Sequence, residues 1–412
     1  MFSRRHWIPP GALIFAQLSH GASWLVLGWA AISGSAWSFD FLAIAWVHIV
    51  VLGWATTAAT GILLHVIPQF ADVSWRLQNL VRRLVFAFAA GVVLFVAALL
   101  LEPHLAVFGA GLIALALLAY FGVVLATLWP AFKGDRTQRA IARALATTLA
   151  FLVVTALLGF GLATMISGYA VPAWVATLPA THASLGMFGW LSLLVFGVSA
   201  RTVRPITGNK SRSPVAHIAV GSLTLLGVPL LAIGLAGVAW LIWPGAILFG
   251  AAAAVYAFDM ADILRRTTMS HRVPPAFLLA GITWLVVGLI LGAGTLAGHD
   301  WEFAYVFVIL AGWIGQMLNA HIYHIGVRVL LTVYRGDDDE TRPHSVLDAR
   351  LSWGSFAAFQ LAIGLAAIGL LAQNPALVCL GAGFGGIGWV VMIANLFSAR
   401  SRAMEPATIS LL

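Results

Sequence analysis

Long apolar runs separated by short polar stretches fill most of the chain and predict a series of membrane-spanning helices. Each run is long enough to cross about 30 Å of hydrocarbon at a rise of about 1.5 Å per residue. The twelve runs cover approximately residues 11–33, 41–70, 80–101, 105–131, 144–168, 177–200, 215–236, 238–261, 276–297, 303–332, 351–371 and 376–397. The pattern therefore predicts an all-α integral membrane protein with twelve transmembrane helices.

All 22 lysine and arginine residues fall on one side of this series of runs. They lie before the first run and after every even-numbered one, at Arg4–Arg5, Arg76–Arg83, Lys133–Arg143, Arg201–Arg212, Arg265–Arg272, Arg328–Arg350 and Arg400–Arg402. The opposite ends carry acidic residues such as Asp40, Glu102 and Asp300. Because basic loops stay in the cytoplasm, both termini are predicted to be cytoplasmic, in an inner (plasma) membrane of bacterial type.

The composition limits the classes of function that the chain can serve. With 61% hydrophobic residues and 9% charged residues, the spans use nearly all of the 412 residues, so we expect a single transmembrane domain. A net charge of +8 would suggest nucleic acid in a soluble protein, but these cations lie beside the membrane and indicate contact with anionic lipid. The single cysteine, Cys379, excludes an internal disulfide and a cysteine-ligated iron–sulfur cluster. Redox chemistry would therefore have to use histidines.

A Gly–Trp pair recurs in the second, sixth and tenth runs and indicates a threefold internal repeat. The pairs are Gly53–Trp54, Gly189–Trp190 and Gly312–Trp313, and each tryptophan is followed seven residues later by a small residue, Gly61, Gly197 or Ala320. Offsets of 136 and 123 residues separate the copies, which is about four spans each. We therefore predict three quasi-equivalent blocks of four helices, at approximately residues 1–135, 136–270 and 271–412.

Histidines inside the predicted spans are the main candidates for chemistry. They are His20, His48, His65, His182 and His321, with His324 nearer the inner headgroups. An ionisable side chain in lipid is costly and indicates function, although a single one can equally serve a hydrogen bond between helices. The set as a whole favours at least one metal or haem ligand. Helix geometry places His48 and His182 about 10 Å below the outer surface, and His65 and His324 roughly 25 Å further along the helix axis.

Two segments resemble a known family. The sequence W-V-H-I-V-V-L-G-W from Trp46 and the sequence H-A-S-L-G-M-F-G-W from His182 look like degenerate forms of the H-A-H-L-x-L-L-G-W element of haem-copper oxidase catalytic subunits. They also resemble paired elements of the NnrS group, which are membrane haem and copper proteins linked to nitric-oxide stress. The resemblance implies twelve spans in three blocks of four. It places His48 at a low-spin haem ligand and His182 at the first copper ligand.

The chain also departs from the oxidase pattern. Helix seven offers only His217, at its cytoplasmic end, where an oxidase needs two adjacent copper ligands. On helix ten the histidines are three residues apart, which predicts that both point to nearly the same face. We therefore expect one b-type haem, with copper as an alternative metal. Its ligands are either the outer pair His48 and His182 or the inner pair His65 with His321 or His324. Arg201 is predicted to meet haem propionates or lipid phosphate.

Three functions compete at this level. The first is a haem-binding membrane protein that acts in electron transfer or in chemistry of nitric oxide or oxygen. If it is an enzyme, it is an oxidoreductase that differs from a standard terminal oxidase, with a redox partner or further membrane subunits. The second is a metal or small-solute transporter, or an assembly factor, whose histidines are transient ligands or proton relays. A true terminal oxidase or nitric-oxide reductase ranks last, since the copper ligands on helix seven are missing.

Overall fold

The computed structural model describes residues 8–209, 214–268, 271–336 and 341–404, and the fold is all-α throughout these ranges. Within them, twelve helices are long and apolar enough to cross a membrane. In chain order they are α1 Gly11–Ser33, α2 Phe41–Ala71, α3 Gln78–Leu101, α4 Pro103–Leu128, α5 Arg136–Ile166, α6 Pro179–Ser199, α7 Val215–Leu235, α8 Ala239–Arg265, α9 Val273–Leu296, α10 Glu302–Arg335, α11 Ala349–Leu371 and α12 Pro375–Met404. The predicted class, an all-α multi-pass membrane protein, is confirmed.

Several helices extend further than the apolar runs that predicted them. The fifth run was expected to begin near residue 144, whereas α5 begins at Arg136. Asp135 and Gln138 form a capping box there, in which each side chain accepts the backbone amide of the other residue. Helices α10 and α12 likewise continue to Arg335 and Met404, past the last apolar residues. Hydropathy detects only the part of a helix that is suited to hydrocarbon, so polar extensions at the interface escape it.

Three antiparallel pairs, α3 with α4, α7 with α8 and α11 with α12, form the most extensive helix contacts of the fold. In each pair the second helix carries a glycine at its closest approach, and these glycines, Gly109, Gly245 and Gly381, recur at intervals of 136 residues. A Cβ atom on Gly109 or Gly245 would collide with the backbone of Phe95 or Leu231, and one on Gly381 would lie 2.7 Å from the backbone of Ala366. Such small residues let helix backbones approach closely in lipid.

The three helices that carry the Gly–Trp pairs lie at the centre of the fold and share an unusual backbone. Each contains a π-helical segment across the pair, at Ile49–Thr56, Leu185–Ser192 and Val308–Ile314. Each glycine faces the first helix of its predicted block, because a Cβ there would lie 2.6 to 2.7 Å from an atom of Ser19, Phe151 or Trp284. The three central helices are therefore alike in their π-helical segments and in the contacts of their glycines. The grouping of all twelve helices into three blocks of four stays a prediction.

The three tryptophans connect the central helices through a nearly cyclic set of hydrogen bonds. Trp190 donates its indole N–H to Thr56 at 2.9 Å, and Trp313 donates to Ser192 at 3.1 Å. Thr56 and Ser192 each lie two residues after a tryptophan, so the third acceptor would be at position 315, which is a glycine. The indole N–H of Trp54 consequently finds no partner among the described residues. Two of the three possible hydrogen bonds between the central helices are therefore made, and the third is missing.

Replacing Thr56 with valine tests the contribution of one link. The substitution keeps the shape of the side chain but leaves the Trp190 N–H without its acceptor. We expect the free energy of unfolding to fall by about 0.6 to 1.7 kcal/mol, the range of interhelical hydrogen bonds in membrane proteins. Thr60→Val is the control, since the Thr60 hydroxyl donates only within its own helix. Unfolding by a denaturing detergent measures both variants, and equal losses would contradict the assignment.

Candidate functional site

His48 on α2 and His182 on α6 face one another across the interface of two central helices. Their ring centres are 6.0 Å apart, and the ring planes differ by 22°. His48 is the last residue before the π-helical segment that begins at Ile49, and His182 lies one turn before the segment that begins at Leu185. Such segments change the direction of neighbouring side chains and are frequent at functional sites. The structure therefore brings together the predicted outer pair.

Each ring of this pair is held by one backbone carbonyl. The Nδ1 atom of His48 lies 2.8 Å from the carbonyl oxygen of Ile44, and that of His182 lies 3.0 Å from the carbonyl oxygen of Thr155. Because a carbonyl oxygen only accepts, Nδ1 must carry the hydrogen in both rings. Nε2 then bears the lone pair when the ring is neutral, and it makes no hydrogen bond within the described ranges. This is the tautomer that metal-ligating histidines commonly adopt.

Two flanking helices complete the surroundings of the pair. Phe95 on α3 meets the His48 ring edge to face, with the ring centres 5.0 Å apart. Gly159 on α5 lies against the other ring, because a Cβ there would be 2.8 Å from Cε1 of His182. Both histidines are half-buried in a setting of apolar and aromatic groups. Gly159 therefore provides the space that the His182 ring occupies.

The donor chemistry of the pair fits a metal that takes imidazole nitrogen, such as iron or copper. Two rings that share one ion through nitrogen–metal bonds of about 2.0 to 2.1 Å have their centres roughly 6 Å apart at most. The ring centres of His48 and His182 are 6.0 Å apart, which is short enough for one ion between them. Among the described residues no cluster of three or more His, Cys, Asp or Glu side chains is arranged to hold a metal. The pair would therefore supply two imidazole nitrogens, the donor type that haem iron and copper accept.

The inner histidines have polar partners of their own among the described residues. His321 is buried with both ring nitrogens engaged, Nδ1 at 2.6 Å from the carbonyl oxygen of Met317 and Nε2 at 2.8 Å from the hydroxyl of Thr202. His65 is held at 3.1 Å by the side chain of Gln69 on its own helix. Neither contact joins α2 to α10. His321 thus makes a hydrogen bond from α10 to Thr202, which lies on the continuation of α6 to Thr207.

His324 follows His321 by three residues, a spacing that predicted nearly the same face. A second π-helical segment on α10, Ile322–Gly326, begins between them. His324 is half-buried and lies within electrostatic range of His321, His271 and His344. A common face for the two rings stays a prediction.

The remaining candidates lie elsewhere. The helix that includes the end of α6 continues to Thr207, and it carries Arg201. The exposed Arg201 guanidinium lies 5.9 Å from the ring centre of Phe70 on α2, so this continuation contacts α2 by a cation–π interaction. Its predicted pairing with a propionate or a lipid phosphate stays a prediction. His20 is buried between α1, α2 and α11, with its ring stacked on Trp54 at 3.7 Å. It is therefore in a different interface from His48 and His182.

Sequence reasoning missed the groups that orient the pair. The carbonyl acceptors on Ile44 and Thr155 carry no sequence signal, because every residue has a carbonyl group. Gly159 could have been noticed only as one glycine among 41. Phe95 likewise stands in an apolar run where an aromatic residue is unremarked. Only the histidines themselves, as ionisable residues in lipid, gave a usable signal.

A second histidine pair lies outside the spans and predicts a dependence of stability on pH. Burial, together with the ring of His344 at 6.0 Å, lowers the pKa of His271 to about 4 from its ordinary value of 6.5. The unfolded chain therefore binds more protons than the folded one between these values, and stability falls as the pH drops from about 6.5 towards 4. Thermal unfolding of the wild type and His271→Gln at pH 7 and pH 5 should show a smaller loss in the variant. Parallel losses would contradict this origin of the pH dependence.

No protein-family model matches the sequence, and no curated protein matches it either.

Proposed function

We propose that this protein binds one b-type haem between α2 and α6, which His48 and His182 would hold through their imidazole nitrogens, and that it acts in electron transfer across or along the membrane. The observation that carries the proposal is the facing pair of imidazoles, each with Nδ1 bonded to a carbonyl and Nε2 without a protein partner. Haem supplies one-electron chemistry when it is bound.

The hydrogen bonds to Ile44 and Thr155 would serve the ligands in two ways. They fix the orientation of each ring, and they increase the electron density on the opposite nitrogen. Because the site offers two imidazole donors to one metal, we favour electron transfer over binding of nitric oxide or oxygen. Phe95 and the neighbouring apolar side chains would keep water from the ligands.

The proposal includes the grouping with haem-copper oxidase-like proteins and the NnrS group, which rests on the two Gly–Trp elements. Support comes from their location, because both elements lie on central helices and carry the histidine pair. An inner-membrane location, cytoplasmic termini and a redox partner or further membrane subunits are part of the same proposal. They are supported by the distribution of basic residues and by the chemistry of the pair.

The purified protein provides the test. After expression with adequate iron and haem supply, we expect a Soret band and about one iron per chain, the stoichiometry of one axial pair. Copper in equal amount without a Soret band would assign the same pair to copper. Absence of both metals, in protein that elutes as a folded species, would remove the proposal.

A further inference from the structure

Six residues on α1, α2 and α10 share one property, which is a buried side-chain nitrogen or oxygen that no described residue hydrogen-bonds. They are Gln17, His20, Trp24, Trp46, Trp54 and Asn319. In Gln17 and Asn319 both amide atoms are unpaired, and these side chains are 7% and 1% exposed. The three helices that carry these residues contact one another.

Ring contacts join His20, Trp24 and Trp54 directly, and Phe307 connects Trp24 to Trp46. Gln17 and Asn319 lie one helical turn from residues of this cluster or in contact with it. The His20 ring stacks on Trp54 with the centres 3.7 Å apart and the planes 4° apart, and Trp24 lies 6.1 Å from His20. Gln17 precedes His20 by one helical turn. Trp54 in turn lies against Gly315, one turn before Asn319 on α10, because a Cβ on Gly315 would be 2.9 Å from the Trp54 ring. We call the six residues the polar column.

The polar column runs through much of the predicted membrane. Counted from the ends of their helices at 1.5 Å per residue, Trp46 lies roughly 8 Å deep and Gln17 and Asn319 roughly 25 Å deep. Aromatic rings line it along its length, with Phe307 5.7 Å from Trp46 and Phe359 5.3 Å from His20. Phe307 and Phe359 are themselves fully buried, so this part of the column lies in the interior of the bundle. His20 is the titratable member at the middle of the column.

An unpaired buried polar group costs about 1 to 3 kcal/mol, so a folded protein seldom retains several together. Native structures satisfy such groups with ordered water when a site offers two to four polar partners. The other two central tryptophans make the contrast clear, since Trp190 and Trp313 are equally buried and are paired with Thr56 and Ser192. The polar column lies where Gly315 leaves the Trp54 indole N–H without the side-chain acceptor that Trp190 and Trp313 each have.

We propose that the polar column holds a file of ordered water molecules between α1, α2 and α10. The carboxamides of Gln17 and Asn319 and Nδ1 of His20 bind these waters, and the indole N–H groups of Trp24, Trp46 and Trp54 donate to them. The file hydrates the middle of the bundle on the side of α1. It gives a proton or a small neutral hydrogen-bonding solute a path to His20.

Radiolytic hydroxyl labelling of the wild-type protein in water enriched in oxygen-18 tests the proposal. Bound water next to a buried ring generates the radical in place, so Trp24, Trp46 and Trp54 should incorporate the heavy isotope several-fold faster than Trp190 and Trp313. All five tryptophans are 5% exposed or less, which makes the last two internal controls. Equal labelling of the two groups overturns the proposal, and this comparison needs no variant.

Leucine substitutions extend the test. The double variant Gln17→Leu and Asn319→Leu removes the carboxamides at similar volume and should slow labelling of Trp54 several-fold. Gln360→Leu is the matched control, because Gln360 is paired within the protein with Trp284 and Gln316. Its effect on Trp54 should be small. An equal slowing in both variants would show that the labelling reports general loosening of the core, and it would overturn the assignment of the carboxamides.

Discussion

Replacing His182 with alanine is expected to abolish retention of the proposed haem, and His48→Ala is expected to do the same. Loss of a residue that only orients a metal ligand already costs about 10- to 100-fold in metal affinity, so loss of a ligand should exceed this. With a single imidazole left, the iron would keep one axial bond and no second ring to hold it between α2 and α6. The Soret absorbance and the iron content per chain after purification measure the effect.

The alanine variants also remove packing, and His182→Asn separates the two effects. Asparagine retains an N–H near the position of Nδ1, so the hydrogen bond to the Thr155 carbonyl can persist while the Nε2 ligand is lost. The asparagine variant should therefore fold like the wild type and still lack haem. His104→Ala is the control outside the spans, since His104 is exposed and pairs with Glu102 at 3.3 Å. Full haem content in His182→Asn would contradict the assignment of His182 as a haem ligand.

The same variants distinguish a resident cofactor from a transported metal. A carrier would release its ion, so purified protein would hold little metal, whereas proteoliposomes would accumulate it. Uptake that disappears in the His48→Ala and His182→Ala double variant would assign the pair to transport. A tightly held chromophore in the wild type and its loss in the variants would assign it to electron transfer. The structure supplies the same two imidazoles to either function.

The order of the helices could be predicted because lipid imposes a simple rule on composition. A span must be apolar for about 20 residues, so twelve apolar runs give twelve helices, and basic residues confined to every second loop give a consistent alternation. The helix ends were less predictable, as at Arg136, because a capping box depends on local hydrogen bonds outside the apolar run. The central position of α2, α6 and α10 was indicated only indirectly, by the recurring Gly–Trp pair.

The site was predictable in its residues and unpredictable in its geometry. His48 and His182 were recognised as costly residues in lipid, but their meeting at 6.0 Å depends on π-helical segments that no spacing rule records. The polar column was missed for a different reason, since Gln17, Asn319 and the tryptophans look like ordinary members of apolar runs. Only the pairing of their atoms shows that they are unsatisfied.

Replacing Gly245 with valine is expected to destabilise the fold by about 3 kcal/mol or more, at the upper end of overpacking effects. Gly245 on α8 packs against α7, and its Cβ would collide with the backbone of Leu231. A flexible side chain could move aside, but helix backbone cannot, so α7 and α8 would have to separate. In lipid no hydrophobic gain offsets the lost contact, because exposed aliphatic groups are as well solvated by lipid tails as by protein.

Gly250→Val on the same helix is the matched control. Nothing lies within 4 Å of a Cβ at that position, so the same change in side chain and helix propensity meets open space. Two measurements check this: the fraction of protein that elutes as a folded species, and the free energy of unfolding in detergent. Both should fall for Gly245→Val, and both should stay near the wild-type values for Gly250→Val. If both variants were equally stable, close approach of α7 and α8 would not be what holds this pair together. The role of the matching glycines Gly109 and Gly381 would then have to be sought in helix flexibility instead.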